Sequence, residues 1–397
     1  MWKNILNKFY LKMKKKLAFV DLTNFDNWPM GGMLEYELAI LPYFCEHYDV
    51  DIFGFSVDGI SPESLNINNV SYPIEVCGNC RTKGKIIPNF YKGVLTALCS
   101  KLHNYDIVYA HTGSCLVGAK FAVDKSTKLV YHQHGLNYQK DYSLMSLIQR
   151  PFYNLAQKYA DAICVVSDVE SVKRYALSRN SKAMDKYMAI GSPINLSKFD
   201  FENNRFRIEQ RKDKKAKYFL YTGRLSSFKN VKTLVQAFAL YVKNEVHDAE
   251  FKIAGTGEEY DLILKMSKDL KIQNNVKLLG FVPHSDIFNL LQEADVFLTA
   301  SGGEGWSVSV LEAYASGLPV ICGKVPGLEK QVIDGETGLF VDNLTPLDFY
   351  RKMQQINGCK YEMGIKCIEH SKQYDARIIA EKIIKKIDSL FLNEKIN

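Results

Sequence analysis

The sequence predicts an α/β protein made of two doubly wound, parallel-sheet domains of similar size, and three observations lead there. The chain has 397 residues, too many for one ordinary core and suited to two. Short β-rich runs alternate with helical patterns along almost its whole length, which argues a parallel sheet with helices on both faces. The alternation lapses near residue 195 and then restarts, which divides the chain.

Residues 1–16 come first. Trp2, Ile5, Leu6, Phe9 and Met13 fall on one helical face, with Lys3, Lys8, Lys12, Lys15 and Lys16 largely elsewhere. Such a segment reads as an interfacial helix for an anionic membrane surface. An extension before a start at Met13, or an unstructured tail, is the plainer alternative. Over 17–195, KKLAFVDL reads as a strand, GGMLEYELAILPYF as a helix and YDVDIFGF as a strand. YDIVYAH, KLVYHQHG and DAICVVS repeat the strand signature at spacings that leave room for helices. The polar stretch 196–216 lacks apolar periodicity and reads as a linker. Over 217–375 the second set runs YFLYTGR, NVKTLVQAFALYVK, EFKIAGTG, YDLILKMSKDL, NVKLLGFV, SDIFNLLQEA, DVFLTAS, SVSVLEAYAS and LPVICG. Residues 376–397 carry a closing helix with Ile378, Ile379, Ile383, Ile384, Ile387 and Leu390 on one stripe.

Composition narrows the function classes. A 47% hydrophobic and 24% charged chain is that of a globular protein in water. No apolar run approaches the roughly 18 residues of a membrane span, and Leu17–Leu22 is too short for a secretory signal. The expected compartment is the cytoplasm, peripheral on the inner face of the membrane. The net charge of +7 gathers in Lys12–Lys16 and Arg205–Lys217 without interleaved aromatics, which argues against nucleic acid. Most of the nine cysteines sit in apolar segments as small hydrophobes. Cys77 and Cys80 have the spacing of a redox pair or half a zinc site, but no second pair exists, and a solvent-side loop is the plainer reading.

Open α/β sheets bind ligands where strand ends turn into helices, and the second half supplies three such places. In YTGRLSSFKN, Gly223 allows a close turn, and Arg224 and Lys229 stand where both reach one anion. In IAGTGEEY, Gly255 and Gly257 would let backbone approach a nucleotide, but Tyr260 replaces the third glycine of a dinucleotide fingerprint. The most specific is ASGGEGWSVSVLEAYASGLPVI, a glycine-rich loop running into a helix with Glu304 and Glu312 eight positions apart. If the residues between are mainly helical, the carboxylates lie about 12 Å apart along the axis. That compares with the span from a donor's sugar, across a diphosphate, to its ribose. Amides at Ser307 and Val308 would then face the diphosphate.

These segments resemble the large group 1 family of retaining glycosyltransferases, whose signature is a Glu, seven residues and a second Glu. The similarity spans about residues 16–392 and is dense between Tyr221 and Val341. It implies the GT-B fold, two Rossmann-like domains facing across a cleft, with the closing helix crossing back to the first. It implies that Arg224 and Lys229 hold the donor diphosphate, Glu312 the ribose and Glu304 the donor sugar, with the loop at Gly280–Val282 against the base. Gly31 and Gly32 match a glycine pair that lets a helix approach the phosphates. His134 matches a histidine beside the reacting sugar. His111 and His132 read as structural or acceptor-facing. Trp306 stands where the family has Phe.

The activity implied is transfer of a hexose from a nucleotide-sugar, a uridine one on family frequency, to a saccharide or lipid-linked acceptor in bacterial surface-polysaccharide synthesis. No metal cofactor is implied. Asp49-Val50-Asp51 has the form of a metal-binding DxD, but it lies within a strand rather than a loop. A nucleotide-sugar epimerase on the same fold, and a catalytically silent nucleotide-sugar-binding subunit, are the competing functions. Acceptor-dependent release of nucleotide diphosphate separates the first, and loss of Glu304, Arg224 or Lys229 would mark the second.

Overall fold

The computed structural model describes residues 14–26, 32–81, 92, 102–135, 144–178 and 184–392. The basic segment ahead of Lys14, Gly31 and the tail after Leu392 lie outside them. The chain forms two compact units, Met1–Gly191 with Arg377–Asn397, and Ser192–Ala376.

The first unit holds eight strands among the described residues: β1 (Lys16–Val20), β2 (Asp49–Val57), β3 (Ser64–Ile67), β4 (Val70–Cys80), β5 (Ile107–Ala110), β6 (Lys128–Gln133), β7 (Ala162–Val166) and β8 (Tyr187–Ile190). They lie in the order β3-β4-β2-β1-β5-β6-β7-β8, parallel except for the β3–β4 hairpin. The central strands β1, β5, β6 and β7 are buried almost end to end, as expected where helices cover both faces of a parallel sheet. Along the chain the strands step one way from β1 to β2 and then jump to β5 on its other side, so the order reverses between β1 and β5. The closing helix Ala376–Leu392 is counted with this unit from Arg377 onward. It buries Ile379, Ile383, Ile384 and Ile387, and its Asp388 lies 2.9 Å from His47 Nε2 and accepts from Tyr48 Oη at 3.2 Å.

The second unit holds β9 (Tyr218–Thr222), β10 (Glu250–Ala254), β11 (Val276–Gly280), β12 (Val296–Thr299), β13 (Val320–Gly323) and β14 (Gly338–Val341). All pairs are parallel, in the order β11-β10-β9-β12-β13-β14. The reversal here falls between β9 and β12, where such sheets open a crevice for ligands.

Two expectations are corrected. The stretch 196–216 is not a bare linker: it contains the helix Phe201–Gln210, part of the second unit. Asp200 caps it by accepting from Asn203 N–H at 3.0 Å, and its polar residues are its anchors. Asn204, fully buried, donates to Ala315 O at 3.0 Å, and Arg207 Nη1 donates to Ala294 O at 2.7 Å. Cys77 and Cys80 lie in β4 rather than in a loop, with Cys80 in the core. Asp49 and Asp51 do share the exposed face of β2, where Asp51 Oδ2 accepts from Tyr105 Oη at 2.6 Å. Among the described residues no helix is long and apolar enough to cross a membrane.

Candidate functional site

The loops after β9, β10 and β12 carry most of the residues singled out from the sequence. Gly223 follows β9 with φ +149°, and Gly255 and Gly257 follow β10 at φ +153° and +156°. Two backbone bonds tie the segment after β9 to the end of β10 and its loop, Gly223 N–H to Ala254 O (3.0 Å) and Leu225 N–H to Thr256 O (2.8 Å), and a third, Gly255 N–H to Gly280 O (2.7 Å), ties the loop after β10 to the end of β11. A Cβ on Gly255 would fall 1.8 Å from Gly223 O, and one on Gly257 2.3 Å from Leu225 O. The glycines of this second loop therefore make room for the first loop's backbone. Their expected role, admitting a nucleotide, is corrected to that extent.

That packing sets the base of a short turn, Ser227–Lys229. Arg224 is exposed, and the Lys229 ammonium pairs with the Glu304 carboxylate, both partly buried. Glu304 lies in the loop after β12, and a third segment holds its backbone. Glu304 N–H donates to Pro326 O at 3.3 Å. Gly327, at φ +88°, leaves so little room that a Cβ there would sit 2.1 Å from Glu304 O.

The helix that follows runs Val308–Ala315 with Ser307 as its cap. Glu304 to Ser307 are thus not helical, so the separation of the two glutamates cannot be taken from helical rise. Ser307 is corrected as well. Its N–H is already taken by Gln331 Oε1 at 3.0 Å, while Gln331 Nε2 donates back to Ser307 O at 2.6 Å. Val308 opens the helix behind it. Glu312 is nearly buried, and its Oε1 lies 2.6 Å from His284 Nε2. His284 opens the helix His284–Glu293, just past the half-buried Val282 and the exposed Phe281. Trp306 lies beside Tyr374, ring centroids 5.9 Å apart.

Sequence reasoning missed Gln331, Gly327 and His284. The only local signal was the position of His284 at a strand-to-helix turn.

In the first unit the strand ends bring together a second group. His134 Nε2 lies 3.0 Å from His111 Nδ1, which is 3.5 Å from Glu37 Oε1. His132 stacks on His111 at 4.4 Å, and its Nδ1 is 2.6 Å from Tyr109 Oη. Asp21, at the end of β1, and Glu37 are both fully buried. Burial pushes Asp21 up to about 6, and burial with the neighbouring Asp21 charge holds Glu37 well above the usual carboxylate range. Burial also drops His134 to about 3 and holds His111 and His132 well below the ordinary imidazole value, so all three are neutral at pH 7. Gly32 is the first, exposed residue of the helix Gly32–His47.

Residues 202–374 match the family described as "Glycosyl transferases group 1". The D-inositol 3-phosphate glycosyltransferase of Corynebacterium diphtheriae is 28% identical over 177 residues, 42% of this chain and 41% of that protein. The aligned segment thus spans about two fifths of that relative's length. Sucrose-phosphate synthase from Thermosynechococcus elongatus superposes with a TM-score of 0.74 at 20% identity, over 96% of this chain and 100% of the other. Anabaena HepE in complex with UDP-glucose superposes with a TM-score of 0.70 at 20% identity, over 94% and 100%. The likeness to both is one of fold, and that fold is GT-B.

Proposed function

From a group 1 glycosyltransferase domain carried on a GT-B fold, we propose that this chain transfers a hexose from a nucleotide-sugar, with retention of anomeric configuration, onto a saccharide or lipid-linked acceptor. The observation that carries the reading is the Lys229–Glu304 pair, which joins the segments that follow β9 and β12, the two strands at the reversal point of the second sheet; Arg224 lies in the first of those segments. There a cation for the diphosphate and a carboxylate for the sugar hold each other in place before the donor arrives. Glu312, set deeper in the same unit, accepts the ribose hydroxyls, and the Phe281–Val282 turn lies against the base. The solved UDP-glucose complex of HepE favours uridine as that base.

In the reaction the bond from anomeric carbon to diphosphate oxygen breaks, and its electron pair leaves with the diphosphate. The acceptor oxygen bonds to the same face, and its proton passes to the departing phosphate oxygen. Arg224 and Lys229 supply preorganised positive potential where that negative charge grows, so the donor needs no divalent metal. Glu304 addresses the sugar as its ring flattens, and a role for His134 in the reaction rests on the family resemblance alone. Bacterial surface-polysaccharide synthesis, with residues 1–16 resting on the anionic inner membrane face, is the setting we favour.

The test is a screen of nucleotide-sugars by thermal shift, because a bound donor raises stability by mass action. Acceptor-dependent release of nucleotide diphosphate and NMR of the new anomeric proton follow. Release without acceptor, or an inverted product, overturns the proposal.

A further inference from the structure

In the second unit His284 and Glu312 stand on different helices, 28 positions apart, and meet at 2.6 Å between Nε2 and Oε1. An ionised carboxylate can only accept, so the ring presents Nε2–H to it. A charge-assisted bond of this length fixes the direction of the carboxylate as well as its place. The imidazole is itself held. His284 is the first residue of its helix, and Phe288, one turn on, meets it edge to face with ring centroids 5.5 Å apart. Phe288 in turn packs edge to face on the buried Phe199, with centroids 5.0 Å apart. A stack of aromatic rings rooted in the core therefore ends on the Glu312 carboxylate.

That carboxylate is not sealed, since 9% of the Glu312 side chain is accessible. The bond from His284 takes one of the roughly four acceptor positions that a carboxylate offers. Two vicinal hydroxyls, those of a ribose, fill two of the positions that remain. The Phe281–Val282 turn proposed for the base stands just ahead of His284 in sequence, so one short segment serves both halves of a nucleoside. A carboxylate free to turn recovers much of its bonding from a single hydroxyl. A clamped one cannot, and the missing partner then costs binding in full.

We propose that His284 is a positioning residue for the donor. It clamps Glu312 so that the carboxylate accepts from both ribose hydroxyls, and it thereby sets a preference for ribonucleoside over 2′-deoxyribonucleoside diphosphates. The inference rests on the reading of Glu312 as the ribose acceptor.

The experiment is calorimetric titration of the full chain with uridine, guanosine and adenosine 5′-diphosphates and their 2′-deoxy counterparts, with thermal melts to confirm that each variant folds. The best ribonucleotide is expected to bind at least about tenfold more tightly than its 2′-deoxy form, the worth of one hydrogen bond to a charged group. His284→Phe keeps the ring against Phe288 but loses the N–H. It should weaken the ribonucleotide about three- to tenfold and leave the 2′-deoxy form nearly unchanged, which collapses the preference. His284→Gln, whose amide N–H reaches the same place, should restore it. In a Glu312→Ala background His284→Phe should cost nothing further, because the two side chains act as one. A full preference in His284→Phe overturns the proposal, as does failure of His284→Gln to do better than His284→Phe, or an equal loss in the Glu312→Ala background. If Glu312→Ala loses the preference while His284→Phe keeps it, the ribose reading stands and the role of His284 falls alone. If Glu312→Ala keeps the preference, or no ribonucleotide binds, both fall.

Discussion

Replacing the two glutamates separates their proposed jobs. Glu312 is nearly buried, and its one described partner is His284 at 2.6 Å. If it holds the ribose equally in the ground and transition states, Glu312→Ala removes uniform binding. The donor KM then rises with kcat little changed. A hydrogen bond to a charged group contributes roughly 1.5–3 kcal/mol, so the rise should be on the order of 10- to 150-fold. Glu304 differs because its partner is Lys229, and the pair is partly open to solvent. A pair of that kind adds at most about 1 kcal/mol of stability, so Glu304→Ala should fold. Removing the carboxylate also frees Lys229 for phosphate, which keeps the donor KM the same or lowers it. The loss then appears in kcat, and His134→Ala should fall in the same class. Steady-state kinetics of nucleotide diphosphate release, with thermal melts to confirm folding, make the comparison. If both glutamate variants keep wild-type turnover and donor affinity, the loop after β12 is not the donor site, and the reading of function loses its main support.

Three further outcomes are expected. Transfer should persist in excess chelator, since Arg224 and Lys229 stand in for a divalent cation; loss that magnesium or manganese restores would bring Asp49 and Asp51 back into consideration. Gly327→Ala should lower kcat by on the order of 100-fold or more, because its Cβ would displace the Glu304 peptide, with a backbone strain of about 1–3 kcal/mol; unchanged kcat would show that this loop does not seat Glu304. The buried cluster should make the first unit acid-sensitive. Near pH 5 the unfolded chain protonates three histidines, ordinarily near 6.5, that the fold keeps neutral. The fold in turn keeps protons on two carboxyls, Asp21 and Glu37, that the unfolded chain has mostly lost. The unfolded state thus binds about one more proton, so this cluster's stability falls by about 1.4 kcal/mol per unit as pH drops from 6 to 5. Asp21→Asn removes one compensating acid and should roughly double that slope in denaturant titrations; an unchanged slope refutes the assignment.

Much of the fold was legible because its strands are short, apolar and separated by helix-length segments. The central strands are buried on both faces, so their residues run apolar without alternation, as in IVYA and AICVV. The helix Phe201–Gln210 was illegible for the opposite reason. It is held by Asn204 and Arg207 bonding to carbonyls at the C-terminal ends of two helices distant in sequence, and nothing in its own periodicity announces that. The site divides along the same line. Arg224, Lys229, Glu304 and Glu312 stand out because charge at a strand end is unusual, and the fold brings Lys229 to Glu304 across 75 positions.

The groups that aim those charges leave no such mark. Gln331 reaches back 24 positions to hold both the N–H and the carbonyl of Ser307. Gly327 contributes only the space that its missing side chain leaves against Glu304. In the same way Gly255 and Gly257 follow the pattern of a nucleotide loop, yet the space beside them holds the backbone of Gly223 and Leu225. A glycine in sequence says that something passes close by, and it does not say whether that is a ligand or another loop. Here the close neighbour is the loop that carries Arg224 and Lys229. These glycines therefore reach the phosphate chemistry through the position they allow those two side chains to take.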